Sequence, residues 1–221
     1  MKINIIYEDN HLLVVDKPVN VPVQADSSKD DDLLNELKKY LVKKYQKPND
    51  AYLGLVHRLD RPVGGVMVFA KTSKAAARLS KQIANNEMKK TYLAIVENKF
   101  EQTSGTWIDY LEKDNKTNTV SVVSSDIGKQ AILDYELVDY NDLLSLVKID
   151  LKTGRSHQIR VQFSFHNHPL WGDQRYNKNA KVGQQIALWS SQLTFVHPTT
   201  KEVLTFISTP PKTGPWKDFA K

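Results

Sequence analysis

Apolar residues in this chain are gathered into short runs, and the few stretches with helical spacing stand isolated among them. That arrangement argues against a regular alternation of strand and helix and for an α+β architecture on a largely antiparallel sheet. Residues 3–7 and 12–16 read as two strands joined by a polar turn at Glu8, Asp9 and Asn10. Leu33, Leu34, Leu37, Leu41 and Tyr45 recur at helical spacing, with Asp30, Asp31 and Asp32 at the start and Lys43 and Lys44 near the end, which predicts an amphipathic helix over 31–45. Beyond Pro48, Asn49 and Asp50 the chain reads as extended over 53–59, and Pro62, Gly64 and Gly65 then predict a turn. Asp60 is thereby placed at a strand end or in a loop.

A buried strand over 66–70 follows, then a helix that Ser73 can cap, reaching Asn85 with Ala76, Leu79 and Ile83 inward. Strand character resumes over 91–97 and dominates the C-terminal half, at 119–124, 131–140, 144–151, 186–193 and 203–207. The exception is 154–167, where Ile159, Phe163 and Phe165 among polar residues suit a helix entered from a glycine turn. The polar stretch 102–116 reads as loop-rich. With no internal repeat and no long Gly/Ser linker, residues 1–221 read as a single domain with room for two lobes.

The chain's 221 residues, 40% of them hydrophobic, are enough for a proper core. Lys and Arg number 31 against 25 Asp and Glu, a balance of +6 that favours polyanionic partners such as nucleic acid, although plain solubility explains it as well. Cysteine is absent, which excludes disulfides, a thiolate nucleophile and any zinc site built on Cys. His57, His157, His166, His168 and His197 fall in no metal-ligand spacing, so no metal site is expected, and no phosphate loop or dinucleotide fingerprint is present. The N-terminus matches neither a signal nor a transit peptide, and no apolar run approaches the roughly 20 residues of a bilayer-spanning helix. A cytoplasmic protein without a membrane partner is expected. Nothing suggests a coiled coil or swapped arm, so a monomer is expected too.

Three segments can carry chemistry. In His57-Arg58-Leu59-Asp60-Arg61-Pro62 a carboxylate is bracketed by two guanidinium groups beside a sharp turn, and an anionic Asp there can serve as nucleophile or base. A structural Arg–Asp pair closing the turn is the alternative. Thr153-Gly154-Arg155-Ser156-His157-Gln158-Ile159-Arg160 gathers two Arg, a His and an amide at a glycine turn, suited to holding phosphate or clamping a carboxylate, or else a solvated basic helix face. In Lys89-Lys90-Thr91-Tyr92 an aromatic ring follows two positive charges, so that a base could stack on it, unless Tyr92 is a core residue.

Taken in order, these segments resemble the RluA-type branch of RNA pseudouridine synthases, in His57 to Asp60, Lys90 to Ala94 and Thr153 to Arg160, with Val15-Asp16-Lys17-Pro18, Gly172-Asp173, Tyr176 and Phe195-Val196-His197-Pro198 extending the match over nearly the whole chain. The resemblance implies a mixed, mainly antiparallel sheet flanked by helices, with a basic cleft across its middle. It also implies isomerisation of uridine in ribosomal or transfer RNA, without cofactor or metal. Asp60 is then the catalytic carboxylate, Tyr92 the ring against the target base and Arg155 the partner of the Asp. His157, Gln158 and Arg160 would support the cleft and RNA backbone, and Arg58, Arg61 and Lys90 are the further RNA-binding candidates.

Two departures stand out. Relatives often carry Thr-Ser-Gly where this chain has Val63-Gly64-Gly65, which removes two hydroxyls from the loop. Asn20 replaces a glycine commonly found after Lys-Pro, and Asn also tolerates the left-handed conformation. The extra N-terminal RNA-binding domain of many relatives is not expected, since core strands begin at Ile3. A non-catalytic RNA-binding or RNA-folding protein on the same scaffold is the competing reading. A carboxylate-dependent glycosidase would need a second acidic partner, and none stands out beside the motifs.

Overall fold

The computed structural model describes residues 3–219. In chain order the elements are β1 (Asn4–Glu8), β2 (Leu12–Lys17), α1 (Leu33–Tyr45), β3 (Gly54–Leu55), β4 (Gly64–Ala70), α2 (Ser73–Ala84), β5 (Lys89–Glu97), β6 (Ser104–Asp114), β7 (Thr119–Val123), β8 (Lys129–Tyr140), β9 (Leu144–Leu151), α3 (Gln158–Phe165), β10 (Leu188–Val196) and β11 (Val203–Ile207), closed by a 3-10 turn at Gly214–Phe219. They divide into two compact units: one holds the chain through Lys89 together with Ser190–Thr209, the other holds Lys90–Trp189 and the segment from Pro210.

In the first unit the strands run β1-β2-β4-β10, with β3 antiparallel to β4 and β11 antiparallel to β10. The β2/β4 register sets Leu12 against Ala70 and Lys17 against Gly65. Leu12, Val14, Val66 and Val68 pack with Ala75 and Leu79 of α2 and with Leu193 and Phe195. Asp32 caps α1 by accepting from the Asn35 N–H at 3.0 Å. Glu8 pins β1 to α1: burial opposes its charge, yet Lys44, Lys71, Tyr45 and Tyr40 together hold its carboxyl at about 2.

The second unit is an antiparallel sheet ordered β5-β9-β8-β6-β7. Its strands alternate sharply: Ala131, Leu133 and Tyr135 of β8 point inward, and Leu111, Val120 and Ala131 meet Val161 of α3.

Several elements differ from the sequence reading. The 102–116 stretch is the long strand β6, because an antiparallel strand with one wet face is polar at every second position; Asp109 and Leu111 face in while Thr106 and Ile108 face out. Thr72, one residue ahead of the expected Ser73, caps α2, accepting from the Ala75 N–H at 3.1 Å. Gly64 and Gly65 begin β4 instead of forming the turn. Gly65 has φ 116°, and a Cβ there would lie 2.2 Å from the Ser190 carbonyl oxygen, so only glycine lets β10 approach so closely.

Candidate active site

The first part of the candidate site is the turn that ends the His-Arg-Leu-Asp segment. His57 Nε2 accepts from the Val68 N–H of β4 at 3.1 Å, which puts the ring proton on Nδ1 and fastens the segment to the sheet. Arg58 is exposed, Leu59 buried and Asp60 half-buried, so the acid heads the turn instead of lying in the core. The Asp60 carbonyl accepts from the Val63 N–H at 3.0 Å and closes a four-residue turn through Arg61 and Pro62.

Beneath this turn lies Lys17, with 0% of its surface exposed. Its Nζ donates to the carbonyls of Pro18 at 3.0 Å, Arg61 at 3.0 Å and Val63 at 2.7 Å. Three carbonyl acceptors call for three donors, which only the ammonium form has. Burial drives its pKa down to about 7, the Asp60 carboxylate pulls it up and Arg61 pushes it down. Val63 is buried with both backbone groups bonded, so the turn is held firmly without the hydroxyls that relatives carry. Asn20 takes the left-handed conformation expected of it, at φ 62°.

Arg61 turns away from the acid it follows. Its guanidinium binds the Asn20 carbonyl at 3.3 Å, Ser28 Oγ at 3.0 Å and the Asp30 carboxylate, with Asp26 at 3.8 Å. Of the two guanidinium groups that flank Asp60 in the sequence, that of Arg61 ties down the loop over 20–30 instead.

In the second unit, Thr153 to Arg160 folds into a loop and the start of α3. Gln158 is buried and organises the loop: Oε1 accepts from the Arg155 N–H at 3.0 Å and the Thr153 hydroxyl at 2.8 Å, and Nε2 donates to the Ile132 carbonyl at 3.1 Å. Arg155 is exposed and donates through Nε to the Gln130 carbonyl at 2.9 Å, which fixes the base of its fork. Arg160 is only 7% exposed and grips Asp173 in two places, Nε to Oδ2 at 2.9 Å and a terminal nitrogen to Oδ1 at 2.7 Å. That pairing engages one edge of its guanidinium.

Tyr92 and Lys90 project from β5 to the same side as this loop. Tyr92 is 7% exposed. Lys90 Nζ would be 3.5 Å from a Cβ at Gly154, and burial lowers its pKa. The structure thus brings the Lys90-Tyr92 and Gly154-Arg155 segments together in one unit, while Asp60, Arg58 and Arg61 belong to the other. Lys17, Asp173 and Tyr176 had no role beyond the resemblance in the sequence reading. A charged pair, Asp16-Lys17, set between the apolar run Leu12–Val15 and Pro18 was the available signal for Lys17.

A family model described as RNA pseudouridylate synthase matches residues 11–165. The RNA pseudouridine synthase YhcT of Bacillus subtilis is 34% identical over 206 residues, covering 92% of this chain and 67% of the relative. The ribosomal large subunit pseudouridine synthase D of Zymomonas mobilis is 32% identical over 215 residues, covering 92% and 68%. The chain therefore spans about two thirds of the length of these curated relatives. Among solved structures, human RNA pseudouridylate synthase domain containing 4 superposes with a TM-score of 0.79 at 21% identity, covering 95% of this chain and 89% of that one, which shows the same fold. Matched across most of its length by this family model and by relatives of that name, the chain belongs to the RNA pseudouridine synthases, enzymes that isomerise uridine in RNA to pseudouridine.

Proposed function

We propose that this chain isomerises uridine to pseudouridine in structured RNA with Asp60 as the catalytic carboxylate, Tyr92 as the ring packed against the target base and Arg155 as the guanidinium that pairs with Asp60. The observation that carries the assignment is the Asp60 turn: a half-buried carboxylate at the head of a turn whose backbone is clamped from below by a buried ammonium. Such a group is accessible to a nucleotide yet fixed in place, as covalent or acid–base chemistry requires. The reaction balances within the substrate. The bond from ribose C1′ to N1 is exchanged for one to C5, C5 gives up its proton and N1 gains one, so neither redox partner nor metal is needed.

Arg58 and Lys90 serve as the direct RNA contacts, whereas Arg61, His157, Gln158 and Arg160 act by positioning the loops that carry the reacting groups. A uridine in a loop or single-stranded stretch, extruded at low cost, is the fitting substrate. The name of the Zymomonas relative favours ribosomal RNA of the large subunit. The same reading has the chain act as a monomer, on cytoplasmic RNA and as one catalytic domain.

The test is pseudouridine formation in host RNA by the purified protein and by Asp60→Asn. Wild type should produce it at defined positions, and the variant should lose about three orders of magnitude in rate with its RNA affinity kept. Full turnover by the variant overturns the role of Asp60; RNA binding by wild type without any pseudouridine overturns the activity.

A further inference from the structure

His157 sits immediately before α3 in the left-handed region, at φ 50° and ψ 20°, and its side chain makes no capping bond to the helix. A non-glycine residue is held there only when its surroundings compel it. What faces His157 is Tyr176: the Tyr176 hydroxyl lies 2.7 Å from His157 Nδ1, and the two rings meet edge to face at 5.6 Å. The same hydroxyl oxygen accepts from the Val120 N–H of β7 at 3.0 Å. Since a backbone N–H can only donate, that bond leaves the hydroxyl's own proton available to His157 Nδ1.

Tyr176 is itself locked. Its ring lies under the Arg160 guanidinium at 5.2 Å, its carbonyl accepts from Ser164 Oγ at 2.7 Å and its N–H faces Asp173, the acid that Arg160 grips. Burial raises its pKa, which keeps the phenol protonated at neutral pH. Next to it, Arg175 holds the tip of the β6–β7 hairpin through the Thr117 and Asn118 carbonyls. His157 lies two residues from Arg155, on the backbone that turns the arginine's loop into the helix.

We propose that Tyr176 is a positioning residue for the reaction, its hydroxyl linking β7 to His157 by hydrogen bonds and so setting the backbone that aims Arg155. This rests on the reading of Arg155 given above. Arg160 and Asp173 are the foundation of the chain, and Tyr176 joins the hairpin to the arginine's turn.

The test is Tyr176→Phe, which keeps the ring over Arg160 and removes only the hydroxyl. With RNA as substrate, kcat should fall about tenfold while KM and the thermal midpoint stay near wild type, because orientation is lost and not binding. In an Arg155→Lys background the same substitution should add little, since the fork it aims is already gone. His157→Asn, which tolerates the left-handed turn and offers an amide oxygen to the phenol, should lose less activity than His157→Leu. An unchanged kcat in Tyr176→Phe, or a loss that multiplies in full with that of Arg155→Lys, overturns the proposal. A loss tracked entirely by the thermal midpoint also overturns it, by showing a structural role. Asp60→Asn and Arg155→Lys are measured alongside: if either turns over like wild type, the underlying reading has failed, whereas losses in both beside an unaffected Tyr176→Phe fault this inference alone.

Discussion

Asp60 and Arg155 each ride on a short irregular segment between regular elements, yet one segment is held by a buried charge and the other by neutral amides, hydroxyls and rings. Under Asp60, one ammonium gathers three carbonyls, so removing it takes the donor from two carbonyls of the turn and from Pro18 at once. Around Arg155, bonds spread over Gln158, Thr153 and Gln130, and each can fail separately. The first device is strong and titratable. The second is graded and indifferent to pH, which suits a guanidinium that never loses its proton.

The largest separation between them should come from Lys17→Met. The thioether fills much of the lysine's volume but donates nothing, leaving the carbonyls of Pro18, Arg61 and Val63 without their donor. Each such acceptor costs about 1–3 kcal/mol, and release of the buried charge gives part of that back, so a net loss of about 2–4 kcal/mol is expected. Denaturant unfolding measures it. Turnover should fall at least a hundredfold as the Asp60 turn loses its order, with little change in RNA affinity. A variant as active as wild type would show that the turn holds itself.

The next effect is pH-dependent and sharpens the contrast. The folded pKa of Lys17, about 7, lies below its ordinary value of 10.5, so between those limits the unfolded chain binds more protons than the folded one. Stability must then rise with pH across that window and be flat for this group below it. From pH 7 to 9.5 the gain should be about 2–3 kcal/mol in wild type and absent in Lys17→Met. Lys90, whose pKa burial also lowers, contributes in the same direction, and Lys90→Gln isolates its share. Activity should move the other way, because a neutral amine has two N–H groups for three carbonyls and the turn loosens as it deprotonates. A basic limb in kcat accompanied by rising stability distinguishes this device from ordinary alkaline denaturation.

How much of this could be read in the sequence follows from the range of the interactions. The Asp60 turn was legible because Pro62 and the short extended run before it act locally, and α1 because its leucines keep helical spacing. Strand β6 was hidden since its wet face gives it the composition of a loop. The fate of Arg61 was also hidden: the carboxylates that claim it, Asp26 and Asp30, lie about thirty residues earlier, whereas sequence proximity suggested Asp60. Arg160 looked like a free cation on a basic helix start, and only the fold reveals Asp173 in its fork. Lys17 bonds carbonyls 44 and 46 positions away, and a carbonyl leaves no mark on the identity of the residue that owns it. Motif reading finds groups that face a substrate more readily than groups that hold them there.

Gln158→Leu should give the smallest effect and is the most direct challenge to the comparison. Leucine approximates the volume of glutamine, so the packing of this buried residue at the start of α3 survives. What disappears is the acceptor for the Arg155 N–H and the Thr153 hydroxyl, and one donor to the Ile132 carbonyl. That carbonyl keeps the Lys152 and Thr153 N–H groups at 3.1 and 3.2 Å. Arg155 is exposed, so water can reach its N–H. The cost is therefore about 1 kcal/mol rather than the several expected at Lys17. Turnover should fall about tenfold at most, by the same factor at every pH from 6.5 to 9, because none of the groups released titrates there. A loss matching that of Lys17→Met, or one that changes across that range, would mean that the arginine's loop also hangs on a single titratable support, and the distinction drawn between the two segments would be abandoned.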